Sequence, residues 1–309
     1  MDGIFFLLLA FLTMFSSIKL SYYGDALSKQ TKLGTALIGG ILIASITSLP
    51  EFVTSISSVL LNNPSLSFGD ILGSNMFNIF VLAIYNIWFF NTDLFKNSSS
   101  KYKYECFILL LEYLLIYIGT KTNLFDMTTI LLIIMYILYM IKVIKAENDE
   151  VNSYKYVNNP LIKFIICAII LVFLSILLTL QADKITHMYP KISSSTIGAI
   201  LLGITTSLPE VVSTYALIKY DNTDMAISNM LGSNIFNFLV LSLSDIFVKN
   251  NHIYNYSDIY SYTYLFGGFL VTSLLLITII KKNKNKYFYI LISIIMSLIY
   301  LLIWYFQFK

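Results

Sequence analysis

Two carboxylates stand inside apolar stretches of this chain, each directly after a proline: Glu51 in "ITSLPEFVTS" (46–55) and Glu210 in "TTSLPEVVST" (205–214). A charged side chain at the centre of a membrane helix costs about 2.5–3.5 kcal/mol or more, so a buried glutamate there signals function, and a second in the same setting strengthens the signal. On a continuous helix Thr47, Glu51 and Ser55 would share one face at i, i+4 and i+8, as would Thr206, Glu210 and Thr214. Ser74 and Asn78 in "LGSNMFN" (72–78) stand four residues apart, and so do Ser233 and Asn237 in "LGSNIFN" (231–237). Pro50 and Pro209 cannot donate to the carbonyls of Ile46 and Thr205, and each opens its turn. Irregular backbone at membrane depth is tolerated only where it is buried in protein or lines a cavity, so the freed carbonyls join the donor set. Hydroxyl, carboxamide, carbonyl and carboxylate oxygens suit Ca²⁺ and Na⁺, and no Cys or His enters the set to suit zinc or copper. The chemistry expected is binding of a hard cation.

The elements that carry these residues are membrane helices. The chain has 309 residues, is 57% hydrophobic and only 12% charged, and its apolar runs approach or exceed the ~18 to 20 residues that span a bilayer. Ten spans are expected, at about 3–23, 33–61, 66–90, 105–120, 124–144, 161–181, 193–219, 225–248, 259–280 and 287–307. The first lacks the positive flank of a cleaved signal peptide, having Asp2 and no lysine before Lys19, and is expected to stay in the mature protein. All 20 basic residues are lysines. Loops on one side hold only Lys121, Lys184, Lys191, Lys249 and Lys309, and the positive-inside rule makes the other, richer side cytoplasmic, with both termini outside. Lysines spread over loop ends read as topology anchors, which argues against a nucleic-acid partner. Cys106 and Cys167 have no ligand or framework spacing and read as small apolar residues; His187 and His252 read as solvated loop residues. Gly69 and Gly73, with Ser228 and Gly232, read as close-packing positions. Asp70 has no acidic counterpart, position 229 being Asn, and reads as a charge at the mouth of the site near the end of its helix.

Both motifs recur at one spacing. Thr47 to Glu51 reappear as Thr206 to Glu210, and "LGSNMFN" as "LGSNIFN", each 159 residues on and without a gap. Residues 39–82 match 198–241 at 18 of 44 positions, so the chain contains a repeat. Five helices per half is an odd number, so the second half would enter the membrane from the opposite side. The fold class expected is therefore an all-α integral membrane protein of two inverted five-helix repeats, with its special site near the midplane. The halves are 1–145 and 161–309, joined by a charged cytoplasmic linker at 146–160.

The paired "TSLPE" and "GSNxxN" motifs in two such halves resemble the cation/calcium antiporter superfamily, most closely its microbial sodium/calcium exchangers, across essentially the whole membrane domain. The resemblance implies that Glu51 and Glu210 ligate calcium. It implies that Thr47, Ser48, Ser74, Thr206, Ser207 and Ser233 supply sodium-site oxygens, completed by the backbone carbonyls of Ala44 and Gly203, with Asn78 and Asn237 flanking the centre. Related exchangers often carry aspartate where this chain has Asn237, and asparagine at both places argues against potassium co-transport. The implied function is antiport of Na⁺ for Ca²⁺ across the cell membrane, with these ions as substrates, the bilayer as surroundings, no cofactor and no obligatory protein partner. A calcium/proton antiporter on the same scaffold is the alternative. A channel fits poorly, since one chain with an internal two-fold is not a ring of like subunits, and no nucleophile–base pair suggests an enzyme.

Overall fold

The computed structural model describes residues 2–30, 47–89, 94–95, 102–146, 157–219, 223–249, 251–281 and 285–307, and these are helical and without strands. In chain order the helices are α1 (Asp2–Gln30), α2 (Leu49–Leu60), α3 (Pro64–Trp88), α4 (Tyr102–Lys121), α5 (Phe125–Ala146) and α6 (Pro160–Met188). There follow α7 (Ser194–Thr206), which includes a π-helical turn at Gly198–Leu202, α8 (Leu208–Lys219), α9 (Thr223–Asp245), α10 (Ile259–Ile280) and α11 (Lys286–Phe306). Prolines open α3 and α6 at the first helical position, where a missing N–H forfeits no helical bond. Asn62, at φ 59°, makes the left-handed turn between α2 and α3, a conformation asparagine tolerates better than most residues. Asp258 and Ser261 close a capping box that starts α10.

Seven of these helices are long and apolar enough to cross a membrane, or eight if α7 and α8, bent by 41° at their junction, form one broken span. The ten expected from sequence are not reached among the described residues. Helix α2 is only 12 residues long and the segment before it lies outside the described residues. Helix α4 carries Lys103, Glu105 and Glu112. The linker expected at 146–160 also lies largely outside.

Burial sorts the helices into a centre and a periphery. The spans of α3 and α9 are each 72% buried although they carry the polar motifs, whereas that of α6 is 17% buried although almost wholly apolar. A helix that presents Ile162, Ile165, Ile166, Ile169 and Phe173 outward has lipid as its matching solvent. Helix α1 packs chiefly on α6, and α3 sits in the middle, touching α2, α7, α9, α10 and α11. The contact of α3 with α7 needs glycine. A Cβ on Gly69 would lie 2.0 Å from the Ser195 carbonyl oxygen, and one on Gly73 would lie 2.4 Å from the Ala199 Cα. Gly198 and Gly203 return the fit, against Leu66 O at 2.2 Å and Ser74 N at 2.8 Å. The close-packing role read for Gly69 and Gly73 thus has its partner in α7, and Gly232 meets the Tyr139 hydroxyl.

Cys106 is buried and Cys167 half-buried, and both are free thiols. His187 is exposed in the last turn of α6. His252 departs from the solvated reading: its ring stacks on Phe125 at 4.7 Å and its Nδ1 lies 3.2 Å from Asp245 Oδ2. The 3₁₀ turn Ile253–Tyr256 folds back over the end of α9, with Ile253 N–H donating to Asp245 Oδ1, and this turn places the ring.

Candidate cation site

Proline sets the local geometry. Pro209 is the second residue of α8 and Pro50 of α2, while Ser207 and Ser48 are the turn residues that precede these helices. Each proline therefore stands in the first turn of a helix, and in the second half the chain bends by 41° just before it. This corrects the expectation of a single continuous face: Thr47 and Thr206 lie before the break, and Glu51, Ser55, Glu210 and Thr214 after it. The Thr205 carbonyl, which the proline deprives of a donor, takes the Ser207 N–H. Ile46 and Ala44, the matched carbonyls of the first half, lie outside the described residues.

The break turns the two serines across the molecule. Ser48 Oγ donates to Glu210 Oε1 at 2.8 Å and Ser207 Oγ to Glu51 Oε1 at 3.2 Å. The second contact is the first moved by 159 residues, with the halves exchanged, so each carboxylate is held by the other half's turn. Both glutamates are fully buried, and their remaining oxygens, Glu51 Oε2 and Glu210 Oε2, have no hydrogen-bond partner among the described residues. Neither carboxylate pairs with a lysine or histidine among the described residues.

A second exchange lies beside the first, where α3 meets α9. Asn75 Nδ2 donates to the Asn234 carbonyl at 3.1 Å and Asn234 Nδ2 to the Asn75 carbonyl at 2.9 Å. Asn78 Nδ2 donates to Asn234 Oδ1, and Asn237 Nδ2 to Asn75 Oδ1, each at 2.9 Å. This network fixes the sense of all four amides. It leaves Asn78 Oδ1 and Asn237 Oδ1 buried without partners among the described residues, again as a matched pair. Buried polar atoms are nearly always partnered, and four orphaned acceptors in two symmetric pairs require an account. A hard cation supplies one.

Thr47, Ser48, Ser74, Thr206, Ser207, Ser233, Asn78 and Asn237 are all buried with the glutamates. Ser74 Oγ reaches the Gly203 carbonyl at 3.2 Å, so two of the groups named from sequence meet directly, and its match, Ser233, faces Glu210. Three further buried polar residues lie among these. Asn75 and Asn234 lie in the repeated "GSNxxN" string, and their presence at the common spacing is the signal that could find them. Asp70 is not a mouth charge: it is fully buried and accepts Thr54 Oγ1 at 2.6 Å. Helix α7 packs across the first turns of α3 through Gly69 and Gly73, and so covers the end where Asp70 stands. Among the described residues no three of His, Cys, Asp or Glu converge on one point; the oxygens gathered here are carboxylate, carboxamide, hydroxyl and carbonyl, the kinds that suit a hard cation.

Fold and site together define a multi-span membrane protein with a buried, oxygen-lined centre that holds paired carboxylates. Comparison with known proteins gives the family. Residues 3–145 and 160–309 match the model of the sodium/calcium exchanger proteins, and the chain belongs to that family of membrane transporters. The inner membrane protein YrbG of Escherichia coli (strain K12) is 24% identical over 248 residues, 74% of each chain. An uncharacterized membrane protein of Methanocaldococcus jannaschii is 27% identical over 236 residues, 70% of this chain and 74% of its own. The solved sodium-calcium exchanger NCX_Mj, soaked with 10 mM Na⁺ and zero Ca²⁺, superposes with a TM-score of 0.62 at 21% identity over 97% of each chain. The H⁺/Ca²⁺ exchanger CAX superposes with a TM-score of 0.72 at 12% identity, over 99% of this chain and 88% of that one. The shared fold thus serves exchangers with different driving ions.

Proposed function

We propose that this chain is an antiporter that exchanges Na⁺ for Ca²⁺ by alternating access, and that its two halves form an inverted repeat of ten spans with both termini outside the cytoplasm. The observation that carries this reading is the crossed pair of bonds, Ser48 to Glu210 and Ser207 to Glu51, with the second oxygen of each carboxylate unpartnered among the described residues. The pair carries −2. One Ca²⁺ or two Na⁺ neutralise it, so the two ions compete for Glu51 and Glu210. Bare carboxylates in a low-dielectric interior are costly, so the protein changes its open side readily only when loaded, and uniport is suppressed. Sodium rather than the proton is favoured by the surplus of neutral oxygens: Thr47, Ser48, Ser74, Thr206, Ser207 and Ser233, with the Ala44 and Gly203 carbonyls, can complete the shells of ions that a proton would not need. Asn78 and Asn237 flank the centre. Helices α1 and α6, packed on one another around the motif helices, would slide across this core as the open side changes.

If three Na⁺ cross for each Ca²⁺, one net charge moves per cycle, worth ~2.3 kcal/mol per 100 mV. The test is ⁴⁵Ca²⁺ uptake into proteoliposomes under imposed gradients. An outward sodium gradient should drive uptake, and the rate should respond to membrane potential. Equal uptake driven by a pH gradient with sodium absent would overturn sodium as the driving ion and leave the calcium/proton antiporter.

A further inference from the structure

The repeat is symmetric in its glutamates and asparagines but not at Asp70, whose matched residue is Asn229. In the second half the amide satisfies itself: Asn229 Nδ2 donates to Thr214 Oγ1 at 3.1 Å. In the first half the carboxylate must find donors, and few are there. Thr54 Oγ1 lies 2.6 Å from Asp70 Oδ2, but also 2.9 Å from the Pro50 carbonyl and 3.1 Å from that of Glu51. Thr206 Oγ1 lies 3.4 Å from Asp70 Oδ1 and only 2.9 Å from the Leu202 carbonyl. Two hydroxyl hydrogens thus face five acceptor oxygens. Ser74 brings a third hydroxyl near Asp70, but its one hydrogen is shared with the Gly203 carbonyl, 3.2 Å from its Oγ. No lysine or histidine pairs with Asp70 among the described residues. A fully buried carboxylate in a shell with more oxygens than hydrogens needs positive charge.

We infer that Asp70, Thr54 and Thr206 form a monovalent-cation position on one side of the glutamate pair, and that it takes Na⁺. The inference rests on the sodium/calcium reading above and extends it to a residue outside the repeated motifs. Divalent binding is disfavoured, because Asp70 does not converge with Glu51 and Glu210 on one point and brings a single charge of its own. Sodium suits the donors: two carboxylate oxygens, two hydroxyls free to turn their lone pairs inward, and main-chain carbonyls that hold Thr54 in place. Thr206 links this position to the ligands named from the repeat, so an ion here is felt at the glutamates. Asp70 and Glu51 are close enough for their charges to act on one another.

The test uses Asp70→Asn, which installs the residue found at the matched position, and Thr54→Val as a second variant that removes one hydroxyl and leaves every charge. Full-length protein is reconstituted, and two quantities are read: the half-saturating Na⁺ for sodium-driven calcium movement, and the KM for calcium in sodium-free Ca²⁺/Ca²⁺ exchange. In Asp70→Asn the sodium constant should rise at least about tenfold more than the calcium KM does, and Thr54→Val should shift the same ratio in the same direction by a smaller factor. Equal shifts in both constants would show a general structural role and overturn the inference, and so would an unmoved sodium constant. A change confined to pH dependence would assign a proton to Asp70 and overturn it as well. A wild type that exchanges calcium yet ignores sodium would refute the sodium/calcium reading itself, a different result from the others.

Discussion

Replacing Glu51 or Glu210 by glutamine separates charge from shape at the centre of the site. Glutamine keeps the volume and an Oε1 that can still accept from Ser207 or Ser48, at 3.2 Å and 2.8 Å in the wild type. What it removes is one of two negative charges that face Ca²⁺ with no lysine or histidine partner. Removing one member of a buried charge pair costs about 3–5 kcal/mol, and at about 1.4 kcal/mol per decade that weakens calcium binding by roughly 10² to 10^3.5. The two variants should agree within about one order of magnitude, because the bonds to the two carboxylates are the same contact made twice. Stability should move the other way. In calcium-free detergent each variant has shed a buried, unpaired carboxylate, so its Tm should be equal to or above that of the wild type, while the rise in Tm on adding calcium disappears. Thermal unfolding of purified protein and ⁴⁵Ca²⁺ flux in proteoliposomes read the two quantities. Near-normal flux from either variant would refute the assignment, and so would a Tm well below wild type in the absence of calcium, since the carboxylate would then be a structural partner.

Asn75→Ala takes away the acceptor that fixes the Asn237 amide and the donor to the Asn234 carbonyl; the calcium KM should rise severalfold, and Asn234→Ala should match it in parallel flux assays. Asn237→Asp replaces the hydrogen given to Asn75 Oδ1 by an oxygen, so the new acid needs a proton or a further cation there; calcium flux should become more sensitive to pH or to potassium than in the wild type, and a variant with wild-type ion dependence would remove Asn237 from the site. Gly73→Ala puts a methyl group 2.4 Å from the Ala199 Cα, which backbone alone can relieve; α3 and α7 must part, at a cost of about 1–3 kcal/mol visible as a lower Tm in detergent.

The glutamates, serines and second asparagines are legible in the sequence because chemistry and repetition coincide in them: a charged or polar residue that recurs in two apolar runs at one spacing is costly to keep twice unless it binds something. The crossing of the serines is not legible. It depends on the chain breaking at Ser48 and Ser207, and a proline in an apolar run says that a helix is disturbed without saying whether it bends or restarts. Asp70 escapes the sequence for a related reason. Along its own helix it stands near an end, whereas its burial comes from α7 lying across that end on Gly69 and Gly73, a contact between residues more than a hundred positions apart. The span expected at 105–120 has its helix in α4, but Lys103, Glu105 and Glu112 keep that helix from being apolar enough to count as a crossing, although Glu112 is fully buried.

The asparagine clamp explains how the centre can be both tightly joined and sparsely charged. Four amides join α3 to α9 with four hydrogen bonds and no net charge. Carboxylates in the same places could accept but not donate, and would need cations or protons to hold the helices together. None of the four bonds of the joint uses a carboxylate, so none has to break when Glu51, Glu210 or Asp70 exchanges one ion for another. The serines behave differently. Ser48 and Ser207 link the halves through the carboxylates themselves, so an ion that draws on Glu51 or Glu210 acts directly on the contact between the two broken turns. One set of contacts is made between amides and the other is made by the carboxylates themselves. That division is what a site needs if it is to keep its shape while the halves around it change sides.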